Sequence, residues 1–240
     1  MKKRLILFLA FFLGLAAPAF AGDAAELEIL GFSENGGIFA FEEYGVQDGS
    51  GFPYANRYYV DTATDEYLPG TPVRIRLDDE SATIEKARAE ARQAGEKFVA
   101  SDVLARNRGN LAGFNAITEF SADPFRMEVS PRAIFPPIDK KLEFRLEEFV
   151  LPSNAECMDF NEIKGFRLSR IDTSDGGTTR IIHEDETIPQ SRSCALGYRI
   201  GAVQTFFPTG GDAVYAVVIA VRRVGFEGPD HRWIAVAGRL

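Results

Sequence analysis

The run AVYAVVIAVRRV, residues 213–224, constrains the fold more than any other stretch of this chain. It is apolar at odd and even positions alike over most of its length, and successive side chains of a strand point to opposite faces. A strand formed from it would therefore present apolar side chains on both faces of its sheet. The run predicts a central strand that is buried on both sides.

Much of the remaining chain alternates between apolar and polar residues, which is typical of half-buried strands. The clearest runs are residues 26–32, 38–45, 56–62, 73–79 and 141–151. Turn sequences such as SENGG and TSDGG follow runs of this kind, which favours antiparallel hairpins. We therefore expect a mainly β, antiparallel two-sheet domain of about ten or eleven strands. A small or incomplete β-propeller is the alternative.

The periodicity changes in residues 81–107, which predict one α-helix inserted after the fourth strand. Apolar positions recur there at helical spacing: Ile84, Ala87, Ala91, Ala94 and Phe98. Because this face is mostly alanine, it can approach another surface closely. Ser81 or Asp79 is expected to cap the helix, and the opposite face, which includes Arg88, is expected to face solvent.

Residues 1–21 have the three parts of a secretory signal peptide. Three basic residues at positions 2–4 precede the apolar run LILFLAFFLGLAA, and Ala19-Phe20-Ala21 is a small-x-small site. We expect cleavage after Ala21 and a periplasmic or secreted product that has no membrane span. Residues 22–240 would then form a single β-rich domain, with residues 135–141 (FPPIDKK) as a candidate hinge.

The charge balance argues against some partners. The formal net charge is −8, and it falls to −11 when the basic residues of the signal peptide are removed. Binding to nucleic acid or to an anionic membrane surface depends on basic patches. The sequence therefore predicts an envelope protein or a small ligand as the partner, and no nucleic acid.

Cys157 and Cys194 are the only two cysteines of the chain. Exported chains with an even number of cysteines commonly pair them, and no C-x-x-C spacing points to a redox pair. We expect a disulfide that fixes the segment IPQSRSC and holds Arg192 rigid.

An internal repeat appears when the chain is shifted by 174 residues against itself. Phe32 then matches Phe206, Gly36 matches Gly210, Gly51 matches Gly225, and Phe52 matches Phe226. Both copies read as a strand, a turn with two glycines, a strand, a Gly-Phe loop and a third strand. We expect the first and last three-stranded units to be related copies.

The two Gly-Phe loops carry the candidate binding residues. The first loop contributes Tyr44, Asp48, Phe52, Tyr54 and Arg57, and the second contributes Glu227, Asp230, His231, Arg232 and Trp233, next to Phe226. Aromatic residues beside arginine and acidic residues are typical of recognition surfaces. The alternative is that Phe52, Phe226 and Trp233 fill the core.

No pattern of catalytic or metal-binding residues stands out. GFSENG lacks the spacing of the G-x-S-x-G elbow. Glu42 and Glu43 are adjacent, so they should point to opposite faces of a strand. The segment HEDE, which begins at His183, cannot direct all four side chains to one ion for the same reason. We therefore predict a non-catalytic binding or protein-interaction module without cofactor or metal.

The alternative function is a cell-envelope hydrolase with dispersed catalytic residues. It would need His183 or His231, the two histidines of the chain, beside a serine and an acid.

Three stretches, GFSENGGIFAFEEYGVQDGSGFPYANRYYVD, IPQSRSCALGYRI and VGFEGPDHRWIAV, resemble a family of predicted secreted bacterial proteins that share a domain of unknown function (DUF2259). The resemblance implies export and no particular activity. Residues 27–61 are also similar to one blade of TolB-like periplasmic propellers, in which the pattern FSxDGxxIAF recurs. Asn35 stands where that pattern has aspartate.

Overall fold

The computed structural model describes residues 22–152, 157, 162–174 and 176–240. The predicted signal peptide, residues 1–21, lies outside these described residues. Within them the chain forms twelve strands in three four-stranded antiparallel sheets, together with two α-helices. The predicted mainly β, antiparallel fold is confirmed, and the sheets number three rather than two.

The N-terminal sheet contains, in order, β1 (Glu26–Phe32), β2 (Ile38–Val46), β3 (Pro53–Asp61) and β4 (Val73–Arg76). The outer sheet contains, in order, β6 (Arg126–Val129), β7 (Leu142–Leu151), β8 (Ile163–Asp172) and β9 (Thr179–Glu184). The middle sheet has the order β12-β11-β10-β5, with β5 (Asn110–Phe114), β10 (Ala195–Phe206), β11 (Val214–Val224) and β12 (Pro229–Arg239). The helices are α1 (Ile84–Gly95) and α2 (Ser101–Arg106), and Gln190–Arg192 forms one 3-10 turn.

The middle sheet lies between the other two. Val214 and Val218 of β11 share one hydrophobic core with Phe41 of the N-terminal sheet. Val217 and Ile219 share a second core with the outer sheet. The predicted central strand buried on both faces is therefore confirmed, and its two apolar faces explain why two covering sheets are needed. The three sheets are stacked as layers, and this arrangement is not that of a β-propeller.

The helix predicted over residues 81–107 is two helices. Helix α1 is capped by Thr83, whose Oγ1 accepts a hydrogen bond from the Lys86 N–H at 3.2 Å, rather than by Ser81 or Asp79. Helix α1 ends at Gly95. Helix α2 begins at Ser101, whose N–H donates a hydrogen bond to the Glu96 carboxylate at 3.1 Å. Neither helix has the length or apolar character to cross a membrane, and the described residues contain no other candidate.

Most of the alanine face of α1 packs closely on the N-terminal sheet, as predicted, but Ala94 is exposed. Ala87 and Ala91 are fully buried against Ala55 of β3. The expectation that Arg88 faces solvent is wrong. Its guanidinium bonds Glu28 and, at 2.5 Å, Glu42 of the sheet below, because Glu42 is fully buried and its charge needs a partner.

Cys157 and Cys194 form a disulfide, as predicted. Both half-cystines are buried, and Ile163 and Ile188 pack with them. The bridge anchors the segment that precedes β10 and contains the 3-10 turn.

Some positions matched by the 174-residue shift occupy similar places, whereas Phe52 is half-buried and its counterpart Phe226 is exposed, and the relation between the two units stays a prediction. Strands β1–β3 and β10–β12 are both antiparallel meanders. Phe32 and Phe206 end the first strand of each meander and stack on one another, with ring centroids 5.3 Å apart. Gly36 and Gly210 have φ values of 74° and 76° in the turns that follow.

Residues 135–141, the candidate hinge, lie in the connection between β6 and β7. Asp139 of this segment pairs with Arg132 at 2.5 Å. Hinge motion there stays a prediction.

Candidate functional site

The two Gly-Phe loops touch each other. The Asp48 Oδ2 accepts a hydrogen bond from the backbone N–H of Glu227 at 3.0 Å. The ring of Phe226 lies against Gly49, where a Cβ atom would come within 2.9 Å of it. Phe226 is 81% exposed, so it does not fill the core. Phe52 is half-buried beside Arg76.

Tyr54, Asp230 and Arg232 meet around Asp23, a residue that the sequence did not single out. Arg232 Nη2 lies 2.5 Å from Asp23 Oδ2, and the Tyr54 hydroxyl donates to Asp23 Oδ1 at 3.1 Å. The Asp23 N–H donates to Asp230 Oδ1 at 3.1 Å. Burial raises the pKa of Asp23, and the Arg232 charge opposes the rise. This network fixes the guanidinium of Arg232, which also stacks over the Tyr54 ring.

The backbone around Asp23 runs beside the start of β12. The His231 N–H donates to the Asp23 carbonyl at 2.8 Å, and the Ala25 N–H donates to the His231 carbonyl at 3.1 Å. The indole N–H of Trp233 donates to the Ala25 carbonyl at 2.8 Å. Gly22 passes so close to Pro229 that a Cβ would lie 2.1 Å from the Pro229 carbonyl oxygen. Residues 22–25 therefore brace the segment that carries Arg232 and Trp233.

Tyr44 and Arg57 are directed away from this region, toward the helices. Arg57 is buried and pairs with Glu42 at 2.5 Å. The Tyr44 ring lies 3.9 Å from the Arg88 guanidinium carbon. The structure thus separates these two residues from Tyr54 and Arg232, because neighbouring strand positions alternate between the faces of the N-terminal sheet.

Arg232 and Trp233 line a cavity of 220 Å³, which we call the arginine cavity. It lies between β3 and β4 on one side and β11 and β12 on the other, with the disulfide-anchored 3-10 turn completing its wall. Four arginines line it: Arg74, Arg192, Arg223 and Arg232. Three aromatic residues line it as well: Tyr58, Tyr67 and Trp233.

Glu43 is the carboxylate in the lining of the arginine cavity, and it is 2% exposed. Its Oε1 accepts hydrogen bonds from Asn56 Nδ2 at 3.0 Å and from the Tyr58 hydroxyl at 2.7 Å. Its Oε2 accepts one from the backbone N–H of Trp233 at 2.8 Å. The predicted opposite orientation of Glu42 and Glu43 is confirmed by these partners. With three donors around it, the Glu43 carboxylate is already satisfied.

The four arginines differ in how their charges are balanced. Arg192 is buried and bonds Asp185 at 2.6 Å, which fits the prediction of a rigid side chain. Arg232 pairs with Asp23, and Arg223 lies 3.6 Å from Asp230. Arg74 is exposed and has no carboxylate within 4.0 Å among the residues that the structure describes. The lining itself thus contains four arginines and one carboxylate, Glu43, which is bonded by neutral donors.

This arrangement can hold an anion. Guanidinium groups bind carboxylate and phosphate oxygens through paired hydrogen bonds. Sequence reasoning found Arg232 and Trp233, but it missed Arg74, Arg223 and Glu43. Arg74 had only the signal of an outward position on an alternating strand, which an ordinary surface arginine shares.

The two histidines, on which the alternative hydrolase function depends, lie in different sheets. His183 Nε2 lies 3.1 Å from Asp185 Oδ1, and its Nδ1 lies 3.6 Å from Asp65 Oδ2. Both ring nitrogens thus face carboxylates, and neither is directed to a serine. His231 lies on β12, beside a separate groove.

One family model, described as a predicted secreted protein (DUF2259), matches residues 40–239. The match extends from β2 to the end of β12 and includes every arginine of the cavity. No curated protein and no solved structure matches the chain.

Proposed function

We propose that the chain, which belongs to this family of predicted secreted proteins, is an exported, non-catalytic binding module. The arginine cavity receives the anionic group of a small ligand, a carboxylate or a phosphate. The periplasm is the compartment we propose, since a disulfide such as Cys157–Cys194 persists in oxidising surroundings.

The convergence of four arginines on one cavity is the observation that carries the proposal. Arg74 is exposed to water and has no carboxylate partner among the described residues, whereas Glu43, the acid in the lining, is hydrogen-bonded by Asn56, Tyr58 and the Trp233 backbone. An anion from solution would supply the missing partner. Charge-assisted hydrogen bonds of this kind contribute about 1.5–3 kcal/mol each.

The size of the cavity limits the ligand. At 220 Å³ it is smaller than the roughly 300–1,000 Å³ of sites that enclose a drug-sized molecule. The cavity therefore holds either a small anion or the charged end of a longer one. Tyr67, which is 39% exposed, offers its ring to an apolar part of the ligand at the entrance.

The test is a thermal-shift screen with a panel of carboxylates and phosphates, followed by titration calorimetry on each hit. We expect the Arg74→Gln variant to bind a hit about tenfold or more weakly, because one charge-assisted contact is lost. Arg76→Gln is the matched control. Arg76 lies on the same strand, pairs with Asp78 at 2.7 Å and does not line the cavity.

Equal affinity of Arg74→Gln and the unmodified protein for every hit would contradict the proposal. So would a screen in which no carboxylate or phosphate raises the melting temperature.

A further inference from the structure

A second concave surface, of 530 Å³, shares no lining residue with the arginine cavity. We call it the cationic groove. Six of its lining residues matter here: Phe120, Phe125, Lys164, Arg199, Arg222 and His231. They come from the 117–125 connection, from β8 and from the three long strands of the middle sheet.

Arg199 lines this groove, and its guanidinium has no carboxylate within 4.0 Å in the part of the chain that the structure describes. The guanidinium donates to the Ile117 carbonyl at 2.9 Å, to Asn115 Oδ1 at 2.6 Å and to the Glu119 carbonyl at 2.9 Å. All three acceptors are neutral oxygens. The Nε atom of Arg199 is buried and has no hydrogen-bond partner. A buried donor without a partner is costly, so Arg199 keeps unused hydrogen-bonding capacity in addition to its charge.

Two more basic side chains lie beside Arg199. Arg222 and His231 are cross-strand partners of β11 and β12. Burial lowers the pKa of His231, and the charges of Arg222 and Arg199 lower it further. The acid in the groove, Glu148, is already engaged by Lys164 at 2.7 Å and by the Tyr198 N–H at 2.6 Å. The groove is therefore a positive region on a chain whose net charge is −8.

Exposed aromatic residues form the rim. Phe120 is 91% exposed and Phe125 is 41% exposed. Large apolar side chains at the edge of a charged groove are typical of protein interfaces, where aromatic residues and arginine are enriched. A ligand confined to the groove would leave Phe120 in water, whereas a peptide segment that crosses the groove would cover it.

We propose that the cationic groove binds a segment of a protein partner in which an acidic side chain lies next to an apolar one. The carboxylate pairs with Arg199 and Arg222, and the apolar side chain packs on Phe120 and Phe125. Charge complementarity selects the acidic residue, and the exposed rim selects the apolar neighbour. This surface is independent of the arginine cavity and stands whether or not that cavity binds an anion.

The first test uses the peptide acetyl-Glu-Phe-Glu-Phe-amide and its uncharged analogue acetyl-Gln-Phe-Gln-Phe-amide as probes. We expect only the acidic peptide, and not its uncharged analogue, to bind. Its binding should raise the pKa of His231, since an anion nearby favours the imidazolium. Proton NMR follows both histidine rings, and a His183→Gln variant assigns them. The pKa of His183, which lies in the outer sheet, should not change.

Variants then locate the contact. We expect Arg222→Gln and Phe120→Ser each to weaken the acidic peptide about tenfold, while Arg145→Gln does not. Arg145 is an exposed arginine of β7 that pairs with Glu143 at 2.6 Å outside the groove. Circular dichroism checks that each variant is folded.

Four outcomes would overturn the proposal. The two peptides could bind equally, or Arg222→Gln could match Arg145→Gln, and either result removes the role of charge. N-acetylglutamate alone could bind as tightly as the peptide, which would make the groove a small-anion site. Light scattering could show a dimer that Phe120→Ser abolishes, which would make the occupant a second copy of this chain.

Discussion

At the scale of single residues, burial of charge decides what the alternating strands do. Glu42 and Glu43 are neighbours on β2, and both are buried. Glu42 meets Arg57 and Arg88 on the helix side, whereas Glu43 faces the arginine cavity. Their opposite directions follow from strand geometry. The partners on β3 follow from the hairpin, whereas Arg88 and the Trp233 N–H come from distant parts of the chain, so the sequence alone does not identify them.

His183 gives a pH dependence that can be measured. Burial acts to lower its pKa, but hydrogen bonds with Asp185 and Asp65 outweigh burial and raise it above 6.5. A raised pKa in the folded state stabilises the protein fully below the unfolded value, and this stabilisation is lost as the pH rises through the folded value. We expect the free energy of unfolding to fall as the pH rises above about 6.5, the unfolded value, and to fall less in His183→Gln.

Urea unfolding at several pH values checks this prediction. The chain has only two histidines, and its cysteines are paired, so few side chains titrate in this range. His231→Gln is the control and should keep the fall, because the pKa of His231 is lowered and its effect has the opposite sign. An unchanged slope in His183→Gln would refute the assignment.

At the scale of elements, the close approach of α1 to the N-terminal sheet leaves no room for larger side chains. Ala91 is fully buried between the helix and β3. Ala91→Leu should therefore destabilise the protein by about 1–3 kcal/mol, as overpacked sites do. Ala89→Leu makes the same change on the exposed side of the same helix, and we expect an effect within about 0.5 kcal/mol.

Chemical denaturation of both variants measures the difference. Equal destabilisation by the two substitutions would show that helix propensity, rather than packing, accounts for the loss.

The elements with strong periodicity were predictable, and their junctions were not. The alternation of residues 38–45 and the alanine spacing of residues 84–94 predicted β2 and α1. The break between α1 and α2 was missed because apolar spacing continues to Phe98. Phe98 instead packs on Tyr59, and the Glu96 carboxylate begins a new helix at Ser101.

At the scale of the whole molecule, the structure has three sheets rather than the predicted two, because strands β10 and β11 are apolar on both faces. The sequence showed this for β11, but it did not show which strands would cover each face. Strands β7 and β8 each have one apolar face, carrying Phe144 and Phe166, and the same pattern suits either side of the middle sheet. Long-range packing makes that choice.

The disulfide links the outer sheet region to the start of the middle sheet. It closes a loop of 37 residues, for which chain entropy predicts a stabilisation of about 3–4 kcal/mol. We expect the Cys157→Ser/Cys194→Ser variant to lose an amount of this order in urea unfolding under non-reducing conditions. The unmodified protein with added reductant should lose as much stability. The prediction would be contradicted if the double variant or the reduced protein were as stable as the oxidised protein.

The order of the layers also fixes the order in which the protein can be completed. The middle sheet supports both of its neighbours, yet three of its four strands are the last in the chain. During synthesis from the N-terminus, the strands of the N-terminal and outer sheets are therefore complete before strands β10–β12 exist. Their apolar faces stay uncovered until those strands are made. Contacts between residues this distant in sequence form slowly, and apolar faces that stay exposed during that time are prone to aggregate. A protein truncated before β10 would consequently lack most of the layer on which the apolar faces of the N-terminal and outer sheets pack.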